Sequence, residues 1–360
     1  QLQQWLAGSN KEIGNLFERQ VLELVEWKDL KDLPRDSYEV IPSIVVWSAK
    51  EGDIKKARLV ACGNFQSELS DDSSNVYAGT TTNVIWRCLL TTFTQAKASV
   101  GCLDISEAFT QSSASSGGRR TFMRLPSQWK NFLLPEVLRK RGVSVENYSE
   151  FLLEILRSIY GEKTAPRKWQ DTLRQFLVEN HFKECELDES LYYKHVQVGS
   201  EQSIVIVSTY VDDIYVFSLH PHLMVDTLYS ISQKFRTTKA ECLCGLPDYF
   251  FGDRESLSQE EQSKIDLFKY VPKERRWAVA DKEHSLSYVS IEIYFSECGE
   301  YVILDQSKFI EKSHQKLLQK GVISESDEMN VHELKPDHFS HLYLNQEVDG
   351  NELLSGSDLQ

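Results

Sequence analysis

An α+β fold built on an antiparallel sheet is what this sequence predicts, on three observations. The run Ile204–Phe217 is β-branched and aromatic on both sides of two adjacent carboxylates, Asp212 and Asp213. Val, Ile, Tyr and Phe suit a pleated, half-buried surface, whereas Asp is depleted in strands and common at turns. The run therefore reads as strand, tight turn, strand, with the acid pair at the hairpin tip. Upstream, Ala98–Phe109 opens as a short apolar strand that carries the acid Asp104. Around these lie stretches with helical apolar spacing, among them Asn83–Ala96 and Arg167–Asn180.

Taken in order, residues 1–32 alternate apolar and charged positions at helical spacing, with Leu16, Val21, Leu22, Leu24 and Val25 as inward candidates. Ser43–Lys50 and Ala57–Ala61 read as two strands joined through a Gly52-Asp53 turn. Gln111–Gly118 is polar and reads as a surface loop, and Thr121–Trp129 as a strand ending in a turn at Pro126. Leu152–Tyr160 predicts a helix, after which Gly161 permits close backbone approach. Pro166 can open the next helix, striped by Trp169, Leu173, Phe176 and Leu177. Pro221–Phe235 predicts a further helix. Residues 241–283, rich in charge and interrupted by Gly and Pro, read as an insertion, and Val302–Ile310 as a strand followed by a helix.

Size and charge bound the function. A chain of 360 residues is long enough for two or three subdomains. No run approaches the ~18 apolar residues of a membrane span, and no basic-then-apolar leader opens the chain. The expectation is a soluble, intracellular protein, not secreted and with no membrane partner. The first residue is Gln rather than Met, which suggests a fragment or a processed product. Seven cysteines lack paired Cys-x-x-Cys spacing, so neither a disulfide framework nor a zinc site is indicated. The net charge of −14 argues against a polyanionic partner on average. Its distribution does not, because residues 321–360 hold nine acids against one base and so supply −8 of the −14. Lys55-Lys56-Ala57-Arg58, Arg119-Arg120 and Arg167-Lys168 are the stretches that would meet phosphates.

Two like charges flanked by apolar strands repel each other and resist desolvation unless something positive compensates them. A divalent cation is one answer; a solvated turn in an ordinary hairpin is the other. Three acids on two neighbouring strands would cage two Mg²⁺ ions roughly 3.5–4 Å apart, the arrangement used for in-line phosphoryl transfer.

Tyr210-Val211-Asp212-Asp213 resembles the signature hairpin of reverse transcriptases, and Asp104-Ile105-Ser106-Glu107-Ala108-Phe109 resembles their first palm motif, Asp-x-x-x-Ala-aromatic. Two further stretches are similar to the copia-type retrotransposon branch. Lys56–Gln66 resembles its Lys-Ala-Arg-Leu-Val-Ala-Arg-Gly-Phe-x-Gln, and Tyr160–Trp169 resembles its Tyr-Gly-Leu-Lys-Gln-Ala-Pro-Arg-x-Trp. The four motifs occur in the family's order and span most of residues 35–310. Departures are Thr164 where relatives carry Gln, the missing Leu-x-Gly after Phe109, and the missing Gly in Tyr288–Ile293, which resembles the primer-grip strand.

The resemblance implies a right-hand polymerase fold with an antiparallel-sheet palm, fingers and a partial thumb. Residues 1–34 would be a helical lead-in, 35–240 fingers and palm, 241–283 the insertion, 284–320 the end of the palm and start of the thumb, and 321–360 an acidic, truncated connection. It implies RNA-directed DNA synthesis from dNTPs on a primed RNA or DNA template. Asp104, Asp212 and Asp213 would ligate two Mg²⁺ ions, for which Mn²⁺ can substitute. Arg58 and Lys56 would meet the triphosphate as fork and point charge; as hairpin residues alone they would be merely solvated. Phe109 would lie under the sugar and exclude a 2′-hydroxyl; its alternative is a core phenylalanine. Tyr160, Gly161 and Lys163 would help hold template and nucleotide, and Lys239 stands near the position of a lysine that protonates the leaving pyrophosphate. An integrase upstream and a ribonuclease H downstream would accompany the chain in a longer polyprotein. The departures leave one alternative, a catalytically silent descendant with at most nucleic-acid binding, and a Mg²⁺-carboxylate nuclease is a more distant one.

Overall fold

The computed structural model describes residues 2–49, 55–67, 76–112, 119–131, 134–319 and 321. The expected Gly52-Asp53 turn, most of the Gln111–Gly118 loop and the acidic stretch after residue 321 lie outside the described residues. The chain opens with α1 (Leu2–Glu18), β1 (Leu22–Glu26), β2 (Tyr38–Ile41), β3 (Ser43–Ala49), β4 (Lys55–Ala61), α2 (Asn83–Gln95), β5 (Ser99–Asp104) and β6 (Arg120–Arg124). It continues with α3 (Ser127–Asn131), α4 (Glu136–Arg139), β7 (Phe151–Ile155), α5 (Ala165–Glu179), β8 (Lys183–Cys185), β9 (Asp188–Val198), β10 (Glu201–Tyr210), β11 (Asp213–Ser218) and α6 (Pro221–Lys234). Last come β12 (Glu241–Cys244), α7 (Gln259–Leu267), β13 (Leu286–Tyr288), β14 (Ile291–Phe295), β15 (Val302–Asp305) and α8 (Ser307–Gln319). The result is a mixed α and β fold whose sheets are dominated by antiparallel pairing.

Contacts divide the chain into two units. The first comprises Gln1–Tyr288 and Glu292–Leu304, the second Val289–Ile291 and Asp305–Gln360. In the second, α8 leaves Phe309, Ile310 and Leu317 exposed. No helix among the described residues is long and apolar enough to cross a membrane.

The first unit is organised on a six-stranded, wholly antiparallel sheet of order β12-β5-β11-β10-β9-β8. Its central strand β11 is buried on both faces from Ile214 to Phe217, which is why that stretch is continuously apolar instead of alternating. Successive residues of a strand point to opposite faces. Leu103, Val205, Val207, Ile214 and Val216 accordingly pack with Trp169, Leu173 and Leu177 of α5 and Met224, Leu228 and Ile231 of α6. Tyr215 and Phe217 face the other way and meet Trp86 and Phe93 of α2. Tyr288 stacks flat on Trp86, ring centroids 4.0 Å apart. Gly101 lets α6 approach β5, since a Cβ there would lie 2.6 Å from the Met224 sulfur.

A second core gathers Ile13, Leu16, Leu22, Val45, Leu59, Met123, Trp129 and Leu153 under a four-stranded sheet, β1-β7-β6-β2, and the β3–β4 pair. Several expectations are corrected here. Leu152–Ile155 is strand, not helix, because neighbouring residues serve two different cores: Leu153 joins this one, whereas Leu152 packs with Leu30, Tyr38 and Phe122. Helical geometry would put adjacent side chains about 100° apart, too close to face opposite ways. Within the lead-in, the helix stops at Glu18, Gln20 turns at φ 53°, and Leu22–Glu26 pairs in antiparallel register with β7. Residues 241–244 are not looped out but form β12, the edge strand against β5. Tyr288–Ile293 does not run as one strand, because Val289 and Ser290 both have positive φ.

Two glycines join segments a hundred residues apart. Tyr160 O accepts from Ala61 N at 2.8 Å and Gly161 O from Gly63 N at 3.1 Å. A Cβ on Gly161, at φ +92°, would sit 2.0 Å from Ala61 O, and one on Gly63 would sit 2.1 Å from Gly161 O. Neither position accepts a side chain without separating the two segments. Gly199 is a control, with positive φ (+59°) and nothing within 4 Å. Gly199→Ala is expected to cost ~1 kcal/mol from backbone strain alone. Gly161→Ala should cost at least ~2 kcal/mol more. Urea denaturation midpoints of the two variants check the difference.

Candidate active site

The β5–β11 ladder runs in register from Ser99 opposite Ser218 to Asp104 opposite Asp213. Directly opposed residues of an antiparallel pair have Cα atoms about 4.5–5.5 Å apart and side chains on one face. Asp104 and Asp213 therefore share the face of Tyr215, at the ends of their strands. Asp212 sits beside them, its carbonyl accepting from Ile105 N at 2.8 Å. The hairpin tip is Val211-Asp212, and Asp213 already belongs to β11, paired with Tyr210. Val211 has φ +57°, costly for a β-branched residue. Trp169 steadies that turn: its indole N–H donates to Val211 O at 2.6 Å while its ring is buried in the core below.

Asp104 is clasped from its other side. Thr238 N donates to Asp104 O at 2.8 Å, and Asp104 N donates to the Thr238 hydroxyl at 3.2 Å. Gln111 reinforces the arrangement, its amide donating to the carbonyls of Ser106 and Arg236 and accepting from Arg236 N. Thr238 and Gln111 carried no signal in the sequence, since Thr238 meets Asp104 and Gln111 meets Arg236 across more than a hundred residues.

Burial, then the charges of Asp212 and Asp104, push the Asp213 carboxyl up to about 7. The three acids are half-buried, and holding all three ionised is unfavourable unless a cation joins them. Carboxylate oxygens are hard donors suited to Mg²⁺. As the side chains stand, no group of three His, Cys, Asp or Glu among the described residues is drawn together enough to hold an ion. The fit to a divalent metal thus rests on backbone register and charge. Cys242 and Cys244 are no alternative site: both are buried, their thiols are pushed up by burial, and each donates to a backbone carbonyl of the neighbouring strand segment.

The remaining sequence candidates divide. Phe109 meets Tyr160 edge-on, ring centroids 5.2 Å apart, and the Arg58 guanidinium lies 5.0 Å from the Tyr160 centroid. The Tyr160 hydroxyl is pushed up by burial, opposed by Arg58 and reinforced by Asp212 and Asp104, so this group lies within electrostatic reach of the acids. Lys56 and Arg58 lie two residues apart on one face of β4, opposite Ser48 and Val46. Lys163 is tied to the other motif, its backbone N–H donating to the Gln66 side chain at 2.9 Å and its ammonium to Gln66 O at 3.1 Å. The Lys239 ammonium donates to Asp266 O of the 241–283 segment.

The profile of the family described as reverse transcriptase (RNA-dependent DNA polymerase) matches residues 26–245. The retrovirus-related Pol polyprotein from transposon RE1 of Arabidopsis thaliana is 35% identical over 102 residues, 28% of this chain and 6% of that protein. The corresponding polyprotein from transposon RE2 is 27% identical over 197 residues, 55% of this chain and 12% of that protein. The transposon Ty1-NL2 Gag-Pol polyprotein of Saccharomyces cerevisiae is 24% identical over 217 residues, 60% of this chain and 11% of that protein. The chain thus spans about a tenth of the length of these curated relatives. A match over more than half the chain, across the stretch that carries the paired acids and both joined motifs, means that the chain belongs to the reverse transcriptase family, as found in Ty1/copia-type Pol polyproteins.

Proposed function

We propose that this chain extends a primer from dNTPs on an RNA or DNA template, with the six-stranded sheet as palm, the β3–β4 pair within the fingers, and residues 284–320 as the end of the palm and start of a thumb. One observation carries the reading: a carboxylate at the end of β5 is register partner to one of an adjacent pair at the start of β11. Asp104, Asp212 and Asp213 would hold two divalent cations. When bound, the ions lower the pKa of the primer 3′-hydroxyl and neutralise the triphosphate and departing pyrophosphate. Trp169 and Thr238 keep the backbones of the acids fixed, so that no reorganisation is needed as charge develops. Arg58 and Lys56 face the nucleotide's phosphates, Phe109 and Tyr160 its sugar, and Gly161 and Lys163 hold the fingers strand against the palm. Lys239 would serve as proton donor only after leaving Asp266 O. An integrase upstream and a ribonuclease H downstream fit the much greater length of the relatives.

Primer extension on poly-rA/oligo-dT with Mg²⁺ tests the reading. Incorporation of dTTP is expected in the parent and a loss of at least ~100-fold in Asp212→Asn. A parent that binds the duplex but incorporates nothing would identify a silent descendant, and degradation without incorporation a nuclease.

Trp169→Phe keeps an aromatic ring but removes the donor to Val211. About a tenfold fall in kcat with little change in the KM for template-primer is expected, as for one lost hydrogen bond at a turn that must stay fixed. Steady-state kinetics decide.

Because Asp213 holds its proton up to about 7 in the fold but only to about 4 when unfolded, the native state binds more protons between these values. Stability of the metal-free chain should therefore fall as pH rises through that window. Asp213→Asn is expected to flatten the fall and raise the melting temperature at pH 8 in EDTA. Mg²⁺ should raise the melting temperature of the parent and leave the variant nearly unmoved, read by scanning fluorimetry.

A further inference from the structure

Phe109 lies in the short helical turn Ala108–Gln111, entered through Glu107 at φ +55°, and its ring is only half-buried. A ring that rejects one extra oxygen on a ribose must hold its position closely, since small displacements at a reacting site are costly. A phenylalanine on a turn has two side-chain torsions that contacts must lock. Below, Phe109 packs against the core of the six-stranded sheet, and among the described residues the aromatic ring it meets is Tyr160, 5.2 Å away with planes 67° apart.

Tyr160 is itself unusually well fixed. Its carbonyl accepts from Ala61 N, and the residue after it is the glycine seated against Ala61 O with no room for a Cβ. Its ring lies under the guanidinium of Arg58, three residues before Ala61 on the same strand. β4 thus holds Tyr160 through both backbone and side chain, and Tyr160 meets Phe109.

We infer that Tyr160 is the positioning residue of the sugar gate, holding the Phe109 ring in place while Arg58 holds Tyr160, so that the strand facing the triphosphate also sets the clearance at the sugar. The inference rests on the reading of Phe109 as that gate. Selection against a ribonucleotide then depends on three side chains in series.

The test measures binding, so that it does not depend on turnover. The chain is assembled on poly-rA/oligo-dT with a dideoxy-terminated primer and Mg²⁺, and the Kd values of dUTP and UTP, which differ only at the 2′ position, are compared. The parent is expected to prefer dUTP, Phe109→Ala to lose the preference, and Tyr160→Phe to keep it. Tyr160→Leu should reduce the preference roughly three- to tenfold, the scale of one lost aromatic pair. Arg58→Met, at an exposed position, weakens both nucleotides but is expected to lower their ratio as well, which a role confined to phosphate would not do. Tyr160→Leu added to Phe109→Ala should change the ratio no further. A preference that survives Phe109→Ala, or is absent in the parent, overturns the gate reading and this inference with it. A preference lost in Phe109→Ala but parental in both Tyr160→Leu and Arg58→Met, with unchanged melting temperatures, leaves the gate and overturns the role of Tyr160.

Discussion

The pairing of β5 with β11 is the constraint on which the rest depends. Because side chains alternate along a strand, one residue of slippage would send Asp104 to the α5–α6 face, into an apolar core. The register is held from both sides. Leu103, Ile214 and Val216 must face α5 and α6, and Tyr215 and Phe217 must face α2. The packing that stabilises the sheet thereby sets the acids opposite each other.

Gathering three carboxylates works against stability, and the surroundings are built to tolerate it. The backbone around the acids is tied to other segments: Asp104 to Thr238, Asp212 to Ile105, and the turn at Val211 to Trp169. The electrostatic cost stays with the side chains, where burial and like charge raise Asp213. A rigid backbone under mutually repelling carboxylates is what a cation-binding site requires, because the cation then meets ligands whose framework does not have to move.

The contact between the two glycine-bearing motifs has a comparable logic. Gly63 and Gly161 bring backbone onto backbone, and hydrogen bonds from Lys163 to Gln66 close the same joint. Basic residues of β4 and aromatic residues beside the acids are thus held on one continuous hydrogen-bonded framework.

Local chemistry was legible along the chain wherever it had to be satisfied locally. The hairpin of β10 and β11, the helices α2, α5 and α6, the Pro166 start of α5 and the acids themselves all follow from side-chain period, turn chemistry and charge. The tertiary structure alone decided matters that depend on distant partners. Leu152–Ile155 is strand because two cores claim its alternate residues, Glu241–Cys244 is sheet because β5 offers a free edge, and Thr238 and Gln111 matter because of where Asp104 ends. A short apolar run carries no mark of which face will be covered, and a threonine none of which carbonyl it will meet. Those choices are made by packing, after the elements exist.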